Sequence, residues 1–481
     1  MNKRMVFNII GRIVQVEALL LMLPLIVSLY YGEECYLAFL ITIGIALVVG
    51  TVLVLACKIK SRVIYAKEGF VIVSLAWVIM SLIGALPFVI SGEIPNYVDA
   101  VFETVSGFTT TGASILTDIE SLSRGILFWR SFTHWIGGMG VLVFVMAIIP
   151  TITDRSIHII RAEMPGPIVG KIVPKVKNTA KILYLIYIGM TIAEIILLFA
   201  GGMPFYESVV HTFGTAGTGG FSVNNDSIAG YSNYLQWVIT VFMFLFGVNF
   251  NLYYLILIGN IKSVLKSEEL WAYVGIAVGS VAIIAVNIYS MCSSLSETLR
   301  LSAFQVSSIM TTTGFSTTDF DTWPTLSKTI LLLLMIIGAC AGSTGGGVKV
   351  SRVVLLFKMM KKELRHMLHP RSVETVKFEG KPINRATTTN VLVYFAVYIV
   401  VLFTTFLLLS FDNFSIETNF SAAIACFNNI GPGLAGVGPA ENYSAYSAFS
   451  KIVLSGAMLF GRLEIFPMMF LFSRSSWSKN K

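Results

Sequence analysis

The chain has 481 residues, of which 55% are hydrophobic and 12% charged, against roughly 25% charged in an ordinary soluble domain. A single water-soluble core of this size is excluded in practice, because cores stop growing near ~250 to 300 residues, whereas a bilayer accepts apolar surface on every helix. The formal charge of +8 comes from 34 basic residues that gather in a few loops without aromatic interleaving, which argues against nucleic acid as a partner and for orientation in a membrane. The five cysteines, Cys35, Cys57, Cys292, Cys340 and Cys426, are odd in number and lack any CxxC or metal spacing. They read as reduced, packed residues.

A bilayer core of ~30 Å needs about 20 apolar residues of helix. Lys3 and Arg4 precede an apolar run broken by Arg12, Gln15 and Glu17 with no small-residue cleavage site, which predicts an uncleaved first span near 10–31. A second span near 36–57 is followed by Lys58, Lys60, Arg62 and Lys67. From residue 69 the order becomes span, half-length helix, polar glycine loop, span, repeated four times. The first round is 69–91, 98–109 and 126–150, followed by Arg155, Arg161, Lys171, Lys175 and Lys177. The second is 180–201, 204–216 and 235–260, followed by Lys262 and Lys266. The third is 271–292, 300–312 and 326–360, with basic residues from Lys358 through Arg385, and the fourth is 388–411, 417–429 and 447–472. The opposite loops are mainly acidic, with Glu33, Glu34, Glu93, Asp118, Glu120, Asp226, Asp319, Asp321 and Glu441. Ten spans with both termini in the cytosol are expected, the basic loops being cytoplasmic. The divisions are 1–62 for two N-terminal transmembrane helices, then repeats 63–165, 166–267, 268–383 and 384–481.

The four short stretches cannot cross a membrane and read as re-entrant half-helices. They lead into FTTTGAS (108–114), GTAGTGGFS (214–222), MTTTGFS (310–316) and FNNIGPG (427–433). Aligning these loops pairs Gly112, Gly219, Gly314 and Gly431. A dehydrated monovalent cation must be offered oxygens in place of water, and backbone carbonyls supply them without fixed charge. Glycine permits the backbone such a lining needs, and the negative C-terminal ends of the half-helices would favour a cation. The candidate lining residues are Thr110, Thr111 and Gly112; Gly217, Thr218 and Gly219; Thr312, Thr313 and Gly314; and Asn429, Ile430 and Gly431. A monovalent cation would be the substrate there, and no covalently bound cofactor is expected.

The third repeat's second span is interrupted by Gly342, Ser343, Thr344, Gly345, Gly346 and Gly347. Each glycine costs a helix about 1 kcal/mol relative to alanine, so a loop within the membrane is expected, lining a watery cavity or making a kink for close packing. Arg462, inside the last span, is expensive in hydrocarbon and is a candidate pore charge or a pin on a filter loop. Glu464 lies two residues on, a spacing that does not place the two face to face. Glu103, Arg130 and Glu194 read as structural pairs or packing groups, and His211 as a hydrogen-bonded core histidine. GPGLAG (431–436) matches GxGxxG but follows a half-helix and has no βαβ unit. GSTGGGVK (342–349) lacks the GK[ST] ending of a phosphate loop, and an enzyme reading has little to stand on.

This arrangement resembles the TrkH and TrkG branch of the Trk/Ktr/HKT superfamily of potassium transporters. The four loops carry the resemblance, with HWIGGMGVLVFVMAIIP (134–150), GSTGGGVKVSR (342–352), HPRSVETVKFEGKPI (369–383), NNIGPG (428–433) and GRLEIFP (461–467). It implies an all-α polytopic membrane protein with four M1-P-M2 potassium-channel-like pseudo-repeats around one pore, plus two extra N-terminal transmembrane helices. It further implies potassium uptake across a bacterial cytoplasmic membrane through a carbonyl filter, with glycine at all four filter positions, Gly112 included, going with potassium rather than sodium. The 342–347 loop would be the gate and Arg462 would lie near the permeation path. A homodimer and a cytosolic TrkA-like, nucleotide-binding regulatory ring are implied as partners, with the basic stretch 349–385 as a contact surface for the ring or for anionic lipid. The rivals are a cation-coupled symporter of a small organic solute, which would depend on buried acids such as Glu194, and a membrane-embedded enzyme.

Overall fold

A computed structural model describes residues 1–57, 66–140, 176–372 and 374–477. Among these, strand is confined to one short antiparallel pair, Lys377–Phe378 with Lys381–Pro382, and nearly everything else is helix. Six helices are long and apolar enough to cross a membrane: Lys3–Tyr31, Tyr36–Ala56, Lys67–Ile90, Lys181–Ala200, Glu268–Met291 and Arg385–Asp412. The first two are the N-terminal pair; the other four each open a repeat. The outward faces carry Leu37, Leu40, Val48 and Val52 on the second helix and Leu392, Val400, Phe403 and Leu407 on the last of the six, all exposed. A soluble protein would not leave so continuous an apolar surface uncovered. The N-terminal pair crosses at two glycines, where a Cβ on Gly11 would sit 2.8 Å from the Gly50 carbonyl oxygen and one on Gly50 2.7 Å from that of Gly11. Small residues let the backbones approach this closely.

The half-length helices are Tyr97–Phe108, Phe205–Gly217, Leu295–Met310 and Ile416–Phe427. Asn96, Ser294 and Ser415 cap the first, third and fourth through their side chains, satisfying orphan N–H groups at the helix starts. Their inner turns are packed from all sides: Ala422 through Cys426 are wholly buried, as are Phe102, Val210 and Phe304. Such helices form the centre of the molecule, with the four long helices outside them.

The second helix of each repeat departs from the expectation of continuous spans at 235–260 and 447–472. Its outer halves are Arg124–Gly138, Asn233–Phe246, Thr325–Ile337 and Ala448–Arg462, nearly equal in length, and each stops beside a glycine: Gly138, Gly247, Gly338 and Gly461. In repeat two the chain bends by 91° before Phe250–Leu257. In repeat four it breaks at Leu463 to Ile465, with Glu464 and Ile465 at positive φ, before Phe466–Phe472. Only the break in repeat three, a loop from Gly338 to Lys349 ahead of Val350–Leu368, was legible from glycine content. The inner part of the first repeat's second span (141–150) and the basic residues Lys58, Lys60, Arg62, Arg155, Arg161, Lys171 and Lys175 lie outside the described residues.

Candidate functional site

Each half-helix ends in the same backbone motif. The N–H groups of Thr111, Gly219, Thr313 and Ile430 donate five residues back, to Ser106, Gly214, Ser308 and Ala425, at 2.8, 2.8, 2.8 and 2.9 Å. Those of Thr110, Thr218, Thr312 and Asn429 donate three residues back. This is a Schellman ending, and its left-handed residue is Thr110, Thr218, Thr312 or Asn429, with φ of 54, 56, 59 and 59°. Glycine normally takes that position; a side chain there costs roughly 1 to 2 kcal/mol. Two residues on, Gly112, Gly220, Gly314 and Gly431 have φ of 77, 75, 88 and 93°.

The second loop is therefore displaced by one residue from the alignment that pairs Gly219 with the other three glycines. Gly220 takes the common position, Thr218 and Gly219 stand where Thr110 and Thr111 stand, and Gly217 is the last helical residue. Four glycines within GTAGTGGFS made the register ambiguous, but the tripeptides GAS, GFS and GFS at 112–114, 220–222 and 314–316 carry the right one. Gly219 is glycine for want of space: a Cβ there would fall on the imidazole of His134, while Thr111, Thr313 and Ile430 keep side chains. His134 is fully buried, with Nδ1 2.7 Å from the Gly107 carbonyl oxygen. Gly219→Ala should thus cost roughly 1 to 3 kcal/mol, as overpacking does, and should cost far less once His134 is alanine. Gly220→Ala should be no better tolerated in the His134→Ala background, because its cost is positive φ. Thermal midpoints of the two single glycine variants, His134→Ala and the two double variants in detergent check this.

The loops close on one another in order. A Cβ on Gly112 would meet the Gly219 oxygen, one on Gly220 the Thr313 oxygen, one on Gly314 the Ile430 oxygen, and one on Gly431 the Thr111 oxygen. All four glycines meet at the floor of a single outer cavity. Among the described residues, no protein donor reaches the carbonyls of 110–112, 218–220, 312–314 or 429–430. Residues 110, 111, 218, 219, 312, 313, 429 and 430 are buried, and buried carbonyls are nearly always paired, so this concentration of carbonyls without a protein donor suits a ligand that carries positive charge. The hydroxyls split by role. Thr111 and Thr313 bond sideways to Thr109 and Thr311, each at 2.8 Å, and Asn429 Nδ2 donates to Thr111 at 3.0 Å, whereas Thr110 Oγ1 is buried with no partner among the described residues.

Polar side chains brace the ring from behind. Glu103 accepts from Arg130 Nε at 2.6 Å, Ser114 Oγ at 3.0 Å and the Ile115 N–H at 3.0 Å, and Arg130 Nη1 donates to the Ser222 carbonyl at 3.0 Å. The pair is almost wholly buried and joins the first loop to the second. His211 occupies in repeat two the place of Glu103, nine residues before the glycine, and its Nε2 lies 3.0 Å from Ser222 Oγ. Arg300 with Gln236, Lys328 with Glu417 at 3.9 Å, and Lys451 with Asp99 at 2.7 Å span the other three seams.

Behind the third and fourth loops lies the 338–349 segment. A Cβ on Gly345 would sit 2.8 Å from the Thr311 carbonyl oxygen, and one on Gly346 3.0 Å from Asn429 Cβ; the Gly346 N–H donates to Thr312 Oγ1 at 2.6 Å. The segment and the break in repeat two satisfy each other's freed backbone groups: Cys340 N–H bonds the Gly247 carbonyl and Phe250 N–H the Gly342 carbonyl, both at 3.0 Å. That is how irregular backbone survives at membrane depth. Glu269, not singled out from the sequence, accepts from Ala341 N–H at 2.7 Å and Ser351 N–H at 3.2 Å. Lys349, buried and at φ 80°, donates to the Gly345 carbonyl.

Arg462 ties this segment to the opposite side. Nη1 donates to the Thr344 carbonyl at 2.7 Å, and Nη2 to those of Gly137 and Gly138 at 2.6 and 2.8 Å. Glu464 pairs with Arg352. A second cavity, lined from repeats one to four by Gly138, Phe250, Ser343, Gly346 and Arg462 among others, adjoins the segment. Glu194 is fully buried in the first helix of repeat two, away from both cavities' linings.

A family model described as TrkH, cation transport protein, matches residues 36–479. The Trk system potassium uptake protein TrkH of Salmonella typhimurium strain LT2 is 36% identical over 99% of this chain and 100% of its own. TrkG of the same system in Escherichia coli strain K12 is 33% identical over 98% of each chain. The crystal structure of the potassium transporter TrkH from Vibrio parahaemolyticus superposes with a TM-score of 0.89 at 32% identity, covering 99% of this chain and 100% of that one.

Proposed function

Because the chain belongs to the TrkH family of cation transport proteins, we propose that it takes up potassium across the cytoplasmic membrane of a bacterium. The observation that carries this reading is the closed ring of four loops whose buried carbonyls have no protein donor among the described residues. Such oxygens replace an ion's water without fixed charge, and four loops around one axis leave room for a single file of ions. In this reading residues 110–112, 218–220, 312–314 and 429–431 form the filter, the last three helical residues before them supply negative helix ends, and the 338–349 segment is the gate. Arg462 latches the gate and adds a positive barrier beneath the filter.

The cytosolic side, in the same reading, holds both termini and the helix Val350–Leu368, which continues directly from the gate. Its exposed Phe357, Met360, Leu364 and Met367 alternate with Lys361, Lys362 and Arg365, a surface suited to a partner. A second copy of the chain and a TrkA-like nucleotide-binding ring are the partners we infer, the ring acting on the gate through this helix. The solute symporter is the weaker reading, since its acidic candidate Glu194 lines neither cavity.

Flux from proteoliposomes loaded with potassium, rubidium, sodium or lithium tests the proposal. Potassium and rubidium should exceed sodium and lithium by about tenfold or more, equivalent to ~1.4 kcal/mol of discrimination. Equal flux of all four ions, or none even after the latch is removed, would overturn it.

A further inference from the structure

Gly431 closes the ring of glycines, yet its carbonyl differs from the others in the four segments. The Tyr443 hydroxyl donates to it at 2.7 Å, whereas no protein donor among the described residues reaches the carbonyls of Gly112, Gly220 or Gly314. Tyr443 is 2% exposed. Its ring centroid lies 5.6 Å from that of Phe102, on the first half-helix, and 6.0 Å from that of Tyr446. Its own N–H donates to the Ser114 carbonyl at 2.8 Å, two residues past Gly112. One residue thus holds the outer end of the fourth segment by its side chain and that of the first by its main chain. The main-chain contact has counterparts, since the Ser316 carbonyl accepts from Ile228 N–H and the Ser222 carbonyl from Arg130, both at 3.0 Å, but among the described residues the hydroxyl bond to a ring glycine's carbonyl is made only at Gly431.

Discrimination among monovalent cations follows the number and field strength of the carbonyl dipoles around the ion. A carbonyl already accepting a hydrogen bond has one lone pair engaged and its peptide plane fixed. We propose that Tyr443 is a positioning residue for cation selection: by holding the Gly431 carbonyl it makes the outermost cation site three-plus-one rather than fourfold, and so weakens that site. The inference rests on the reading of the four loops as the cation pathway.

Tyr443→Phe keeps the ring and removes only the hydroxyl. In cells that depend on the full-length protein for potassium, the half-saturating potassium concentration should fall about twofold to tenfold, the range one hydrogen bond spans. Maximal uptake and the thermal midpoint should change little. Tyr446→Phe, whose lost hydroxyl bonds Asn419 at 2.9 Å, should leave half-saturation where it was. An unchanged or raised half-saturation in Tyr443→Phe, or equal shifts in both variants, overturns the role of Tyr443. Gly431→Ser in the same cells separates the two levels: if it alters potassium over sodium preference while Tyr443→Phe is silent, only this inference falls; if it too is silent, the filter reading falls with it.

Discussion

Arg462→Ala is expected to raise potassium or rubidium flux from proteoliposomes by about tenfold or more without any partner present. The guanidinium holds three carbonyls, those of Thr344, Gly137 and Gly138, at 2.6 to 2.8 Å. Hydrogen bonds to a charged group are worth roughly 1.5 to 3 kcal/mol each. If opening the segment breaks only one of them, its removal shifts the closed-to-open balance by about tenfold to a hundredfold. The same substitution removes a positive charge from the edge of the inner cavity, which also favours cations. Arg462→Lys separates the two contributions, since lysine keeps the charge but cannot span three carbonyls with one planar fork. An open Arg462→Lys assigns the effect to the latch, and a closed one assigns it to the barrier. Flux in Arg462→Ala no greater than in the wild type removes Arg462 from the gate altogether.

Gly112→Ser should lower the preference for potassium over sodium by about tenfold or more. Its φ of 77° is one that side chains rarely adopt, and its Cβ would meet the Gly219 carbonyl oxygen. The first or second loop must therefore move, and the carbonyl spacing that an ion reads moves with it. Competition between rubidium tracer and added sodium, measured in Gly112→Ser and Gly220→Ser, reads the change directly. Gly220→Ser should behave as Gly112→Ser does, because its φ is 75° and its Cβ would meet the Thr313 oxygen. Wild-type sodium competition in both variants would mean that the ring of glycines does not select the ion.

The backbone at these positions explains why the four loops could be located in the sequence before the register of the second could. Threonine and glycine after four half-length apolar helices mark where a chain must turn inside a membrane, and hydropathy counts spans because twenty apolar residues are needed whatever their neighbours. Composition, the repeat order and the glycine positions of three loops were local properties, set by solvent and by φ.

Other features depend on what lies across the molecule. Sequence separates Gly219 from Gly220 only through the GFS tripeptide at 220–222; what each glycine is for depends on the His134 ring beside one and the Thr313 carbonyl beside the other. The breaks at Gly247 and Leu463 were invisible to an average over a span, because a helix interrupted for three residues stays as apolar as a whole one. The backbone groups freed at Gly247 are met by the 338–349 segment, and the carbonyls of Gly137 and Gly138, where the first repeat's helix stops, are met by Arg462. Glu269 and Tyr443 carry no local signature at all, since each acts on a backbone group 72 or 12 residues away. The polytopic helical fold and its four repeats were legible along the chain, because they follow from residue type and short-range order. The order in which the four loops close on one another and the ties from Arg462 to Thr344, Gly137 and Gly138 follow from the tertiary structure, because each is a contact between repeats.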